Sequence, residues 1–221
     1  MTKVSYLEAL ENPNCRQEYL NFLVDSSGLN FPYVDDFMYI SKKEAIKIKD
    51  RICRISEDSE NELEKMTAVC TPNGTLPANS TIYFTENNFS DYCKKLLCNS
   101  IVAENDFEIA QRIEICYHEA VHSEYFGKGI EGFDLEEFKL NTEEGKMLFL
   151  IASELGAHAI HIKELGKIKI NSHFLREYQK FMITEFISYI KLLPQLVKIG
   201  YDEKLSKKIF NKYNNLEYSS L

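Results

Sequence analysis

No apolar run in the 221-residue chain approaches the roughly twenty residues that a membrane-spanning helix needs. The stretch MLFLIA (147–152) is far too short. No C-x-x-C pair occurs among the six cysteines (Cys15, Cys53, Cys70, Cys93, Cys98, Cys116), which excludes a zinc ribbon or a thioredoxin-like redox centre. Their density is also far below that of a disulfide scaffold, so reduced thiols are expected. Positive charge is not in excess. A net charge of −8 argues against a general nucleic-acid binder, and the basic run Lys204–Lys212 reads as a solvated helix face. The N-terminus, MTKVSYLEALENPN, has no apolar h-region and hence no Sec-type signal. The expected location is a cytoplasm, the protein's own or a host's reached by another route. The sequons at Asn73, Asn79 and Asn88 are then accidental. There is no internal repeat and no linker that would require two domains, so residues 1–221 are expected to form one.

The chain is 44% hydrophobic and 27% charged, enough apolar material for a core without staples. The pattern predicts a mainly α protein with a small β-sheet, an α+β fold. Residues 1–70 read as a helical N-terminal region, with one helix between Pro13 and the turn at Ser26–Gly28. A second opens at Ser41 and Glu44 in capping-box register and repeats apolar residues to Ile55. The segment from Ser56 to Lys65 reads as its solvated end or a loop. Turn chemistry over TPNGTLPANS precedes the best strand, Thr81–Glu86. A short helix follows, then a long one ending at Gly127 or Gly129, and another over Thr142–Gly166. The last two are expected over Asn171–Leu193, stopped before Pro194, and Asp202–Asn211. Residues 167–221 thus read as C-terminal helices.

Histidine is scarce, five in all, and two of the five lie in YHEAVHSEYFG. His118 and His122 are four apart, so on an α-helix their imidazoles can converge on one ion. Glu119 sits about a hundred degrees around the axis, near that ion without having to ligate it. Two neutral nitrogens and an adjacent carboxylate are what a zinc hydrolase needs. On the helical wheel Ile109, Ile113, Cys116, Tyr117, Ala120 and Val121 form an apolar half, and His118, Glu119 and His122 group on the other side.

Catalytic zinc usually has three protein ligands plus water. The continuation H-x-x-G-x-x-H of one zinc peptidase class fails here, because Tyr125 and Lys128 stand at its positions. Asp134 is available, but it looks like an N-cap for LEEF. In the helix over 142–166, Glu154, His158 and His161 fall within the apolar stripe formed with Met147, Leu150, Ile151 and Leu165. A carboxylate facing a core is costly unless paired or bound to a metal. Glu154 is therefore the economical third ligand, with His158, His161 and Asp134 as alternatives.

These residues resemble the gluzincin branch of the zinc metallopeptidases, which carry H-E-x-x-H on one helix and a glutamate ligand on a later one. Here the motif is His118-Glu119-Ala120-Val121-His122, and the resemblance covers about Thr81 to Leu165 within a metallopeptidase-like core over 71–166. It implies a zincin-like core with extra N- and C-terminal helices, one Zn2+ per chain, and a protein or peptide substrate. It also implies an edge strand at Thr81–Glu86 lining the cleft by strand addition. One departure is plain: where gluzincins often have an aspartate four residues after the glutamate, this chain has His158. In size and motif the chain is also similar to bacterial effector and toxin-like proteases.

The expected activity is hydrolysis of peptide bonds, with Glu119 moving the proton from the attacking water to the leaving amine. Candidates for stabilising the oxyanion are His158, His161, His173 and Tyr125, with His161 preferred because it shares the face of Glu154. Two other readings stand beside this. A di-iron carboxylate bundle would need two E-x-x-H pairs, but Glu154 and His158 are spaced E-x-x-x-H. A non-enzymatic helical adaptor would keep the same fold with a structural metal or none.

Overall fold

The computed structural model describes residues 4–47, 67–99, 101–168 and 172–214. Ser5 and Glu8 form a capping box that starts α1 (Tyr6–Glu11). A 3-10 turn (Pro13–Cys15) leads into α2 (Arg16–Ser27), which ends where Gly28 takes φ 65°. Next come β1 (Val34–Ile40) and α3 (Lys42–Lys47), the latter opened by the expected Ser41–Glu44 box. The remainder of that predicted helix, and the segment from Ser56 to Lys65, lie outside the described residues.

Strands β2 (Ala68–Pro72) and β3 (Ser80–Thr85) complete a three-stranded mixed sheet of order β1-β3-β2. β1 pairs parallel to β3, with Phe37 opposite Ile82, and β2 pairs antiparallel, with Cys70 opposite Ile82. Two expectations are corrected here. The N-terminal region is not wholly helical: β1 lies within it, its alternation interrupted by Asp35 and Asp36. A parallel strand takes its partner from far along the chain, which local periodicity does not encode. Nor is Thr81–Glu86 an edge. Fully buried β3 is the central strand, hydrogen-bonded on both sides, so no further strand can be added to it. The outer strands among the described residues are β1 and β2. Asp35 accepts hydrogen bonds from Asn73 and Asn79 at 2.6 and 2.7 Å and ties the β2–β3 turn to β1. The third sequon residue, Asn88, is only 4% exposed and donates to Thr67 O and Thr85 O.

After α4 (Asp91–Cys98), one helical rod runs from α5 (Glu104–Ile113) through a π turn (Glu114–Glu119) into α6 (Ala120–Lys128), stopping at Gly129 with φ 84°. The chain closes with α7 (Glu143–Gly166), α8 (His173–Lys198) and α9 (Glu203–Asn214). Among the described residues no helix is long and apolar enough to cross a membrane. Helix α8 does not stop before Pro194 as predicted. A mid-helix proline costs about 3 kcal/mol, but Leu193 and Leu196 on either side are both buried. At about 1.5–3 kcal/mol each, their burial offsets that cost.

Two cores meet at the rod. Ile151, Leu155 and Leu165 of α7 pack with Phe186 and Leu193 of α8 and Ile209 of α9. Tyr6, Tyr19 and Leu23 pack with Ile82 and Phe84 of β3 and Phe107 of α5. Ile113 belongs to the first core; Ile115 and Cys116 belong to the second. Being covered on both sides, the middle of the rod has its polar residues enclosed.

Candidate metal centre

The π turn spans the start of the H-E-x-x-H stretch. Its i→i+5 bonding shows where the Ala120 amide reaches the Ile115 carbonyl, and such turns insert one residue into a helix. The wheel drawn for a regular α-helix therefore slips by one position here. His118, Glu119 and His122 still share a region, but not an open face: they are 6%, 5% and 6% exposed and are covered by α7 and β2.

Across from them stands Glu154 of α7. Glu154 Oε1 lies 3.4 Å from His122 Nε2, and its Oε2 lies 3.6 Å from His118 Nε2. The two Nε2 atoms are 3.3 Å apart. His118, His122 and Glu154 together form a buried group that could hold a metal ion. His122 Nδ1 is 2.7 Å from Ser153 Oγ. When that nitrogen donates, the lone pair on Nε2 turns toward His118 and Glu154. The Glu154 side chain, 19% exposed, is the most open of the three.

The electrostatics sort the group. Burial pushes His122 down to about 4, only partly offset by Glu154, so its imidazole is neutral at pH 7. Burial also opposes charge on Glu154, but His122, His118 and His158 outweigh it and hold the carboxyl down at about 2. For His118 burial is likewise overcome, by the Glu154 hydrogen bond and by the Glu114, Glu119 and Glu154 carboxylates, and its pKa rises to about 9. Burial lifts Glu119 to about 8, with Glu114 and Glu154 adding to the rise; His118 and a hydrogen bond from the Cys70 amide pull the other way.

That amide belongs to the side of β2 turned away from β3. Thr67 O accepts from Thr85 N and Asn73 N donates to Asn79 O, so odd-numbered β2 residues bond β3. The main-chain groups of Ala68 and Cys70 therefore face away from β3, and Glu119 takes the Cys70 amide.

The remaining predicted candidates fall in different places. His158 Nδ1 bonds the Glu154 carbonyl at 2.9 Å, and its ring stands edge-on to His118, centroids 4.7 Å apart. Burial and His118 hold its pKa at about 4. His161 is fully buried, with its ring against His118 and Tyr178 and Nδ1 3.5 Å from Glu114 Oε2. With no exposed surface it stands behind the cluster. Asp134 caps the 3-10 turn Leu135–Phe138 in a capping box with Glu137, as LEEF suggested. Tyr125 packs on Gly156, where a Cβ would overlap its hydroxyl. His173 is exposed at the start of α8.

Three participants escaped the sequence reading. Ser153 adjoins Glu154, and Glu114 precedes His118 by four, so both had a positional signal. Tyr178, whose hydroxyl donates to Glu114 Oε2 at 2.9 Å, arrives from α8 without one. No family model, curated protein or solved structure matches the chain.

Proposed function

We propose that the protein is a zinc-dependent peptidase with its ion held by His118, His122 and Glu154. The observation that carries this reading is the set of three separations: 3.3, 3.4 and 3.6 Å. A tetrahedral ion with bonds of about 2.0–2.2 Å requires ligand atoms about 3.3–3.6 Å apart, the tetrahedron edge being 1.63 times the bond. Donor chemistry supports it too. His122 is a neutral nitrogen donor, and Glu154 is ionised at neutral pH. His118 would give up its proton to the incoming cation.

Zinc bound there would supply Lewis acidity, acidifying a water and polarising a carbonyl. Glu119 holds a proton readily in this enclosure, which suits a group that takes one from the attacking water and delivers it to a departing amine. The outward edge of β2 takes over the substrate-strand role first expected of Thr81–Glu86. It lies beside Glu119, whose bond to the Cys70 amide an extended peptide would have to replace. His161, being fully buried, supports His118 and does not touch substrate, and the nearer candidate for the oxyanion is His158. Delivery into a host cytoplasm, as for an effector protease, remains part of the proposal.

The test is cleavage of a mixed-sequence peptide library by zinc-loaded wild type and Glu119→Gln. Chelator-sensitive cleavage by wild type, reduced about 10²–10⁴-fold in the variant with zinc still bound, supports the reading. Zinc binding with no cleavage by either protein overturns it and favours an adaptor with a structural ion. Two irons with iron–oxo absorbance would favour the carboxylate-bundle reading.

A further inference from the structure

A neutral imidazole carries one N–H and one lone pair. His118 Nε2 faces His122 and Glu154, so in the ion-binding tautomer the hydrogen sits on Nδ1. That Nδ1 is buried and has no hydrogen-bond partner. An unmet buried donor is costly and leaves the ring free to choose the wrong tautomer.

Two carboxylates lie close by. Glu114, His118 and Glu119 each bring one ligand atom within 4.8 Å of the others. Glu119 is engaged by the Cys70 amide. Glu114 begins the π turn one turn before His118, and its position is fixed from behind: Tyr178 donates to Oε2 at 2.9 Å, and His161 Nδ1 lies 3.5 Å from the same oxygen. Both His161 nitrogens are buried without a hydrogen bond, so the approach of Nδ1 to Glu114 is the polar contact of this ring.

We propose that Glu114 is the positioning carboxylate of the centre, accepting the Nδ1 hydrogen of His118 and being held in turn by Tyr178 and His161. This rests on reading His118, His122 and Glu154 as the ion's ligands. The π turn gains a purpose as well, since it is the segment that carries Glu114, His118 and Glu119 together. A second ion among those three residues is the competing use of the same atoms. One neutral imidazole has a single lone pair, so His118 cannot serve both ions.

The experiment is zinc affinity by competition with a chromogenic chelator, with stoichiometry by native mass spectrometry, for wild type, Glu114→Gln, Glu114→Ala and Tyr178→Phe. Glu114→Ala should bind about 10–100-fold more weakly. Glu114→Gln, which keeps an acceptor oxygen, should fall between it and wild type, and Tyr178→Phe should show a smaller loss. Should Glu114→Ala fail to fold, 15N-histidine NMR of the zinc-loaded wild type decides: it should show a slowly exchanging proton on His118 Nδ1. An unchanged affinity in Glu114→Ala, an unprotonated Nδ1, or a second zinc in wild type that Glu114→Ala loses overturns the proposal. A wild type that binds no zinc overturns the ligand set itself, a separate failure seen before any variant is made.

Discussion

Acidification should unfold the ion-free protein by a route that the cluster dictates. Near pH 5.5 an unfolded chain carries protons on His118, His122, His158 and His161 and almost none on Glu119 or Glu154. The folded chain differs. Burial keeps His122 and His158 neutral down to about 4 and holds His161 well below the ordinary histidine value, while His118 and Glu119 keep their protons. Unfolding therefore takes up 4 − 2 = 2 protons, and stability falls by about 2.7 kcal/mol per pH unit on acidification. From pH 6.5 to 4.5 the loss reaches about 5 kcal/mol at most, comparable with the whole stability of many domains. Above 6.5 the sign reverses. The unfolded chain has then lost its histidine protons, while folded His118 and Glu119 hold theirs up to about 9 and 8, so stability falls as pH rises through that window. The expected profile is a maximum near pH 6.5. Urea denaturation followed by circular dichroism, with chelator present, measures it. His158→Gln should halve the acid slope to about 1.4 kcal/mol per unit. A flat profile, or a maximum well into the alkaline range, would refute the burial of neutral His122 and His158.

Further outcomes follow from packing and charge. Gly156→Ala places a methyl group into the Tyr125 hydroxyl and should cost about 1–3 kcal/mol, read as a lowered urea midpoint. Leu155→Ala, at a fully buried position beside Glu154, should cost about 2–5 kcal/mol in the same assay. Neutralising Lys208 should cost less than about 1 kcal/mol, because its pairing with Glu137 is on the surface, 41% and 39% exposed.

What the sequence made visible was local. His118 and His122 share a helix, so their convergence follows from spacing alone. Glu154 stood out as a charge within an apolar stripe, and the structure brings it to 3.4 Å from His122. The Ser41 and Asp134 caps are encoded within four residues. What stayed hidden depends on distant chain or on broken periodicity. β1 exists by pairing with β3 some 45 residues on, for example Phe37 with Ile82. That same pairing removes β3 from the sheet's edge. Tyr178 reaches Glu114 across 64 positions. The π turn breaks the 100° step on which the wheel depends, so the faces drawn for a regular helix do not hold through Glu114–Glu119. Pro194 was read by its local cost, while the burial that outweighs it is tertiary.

The central claim is that His118, His122 and Glu154 hold one metal ion. Native mass spectrometry of protein purified without a metal-affinity step and equilibrated with zinc tests it, comparing wild type with His122→Ala and Glu154→Ala. One zinc per wild-type chain is expected, with a greatly weakened or absent ion in both variants. No zinc on the wild type, or equal loading of all three proteins, would contradict it.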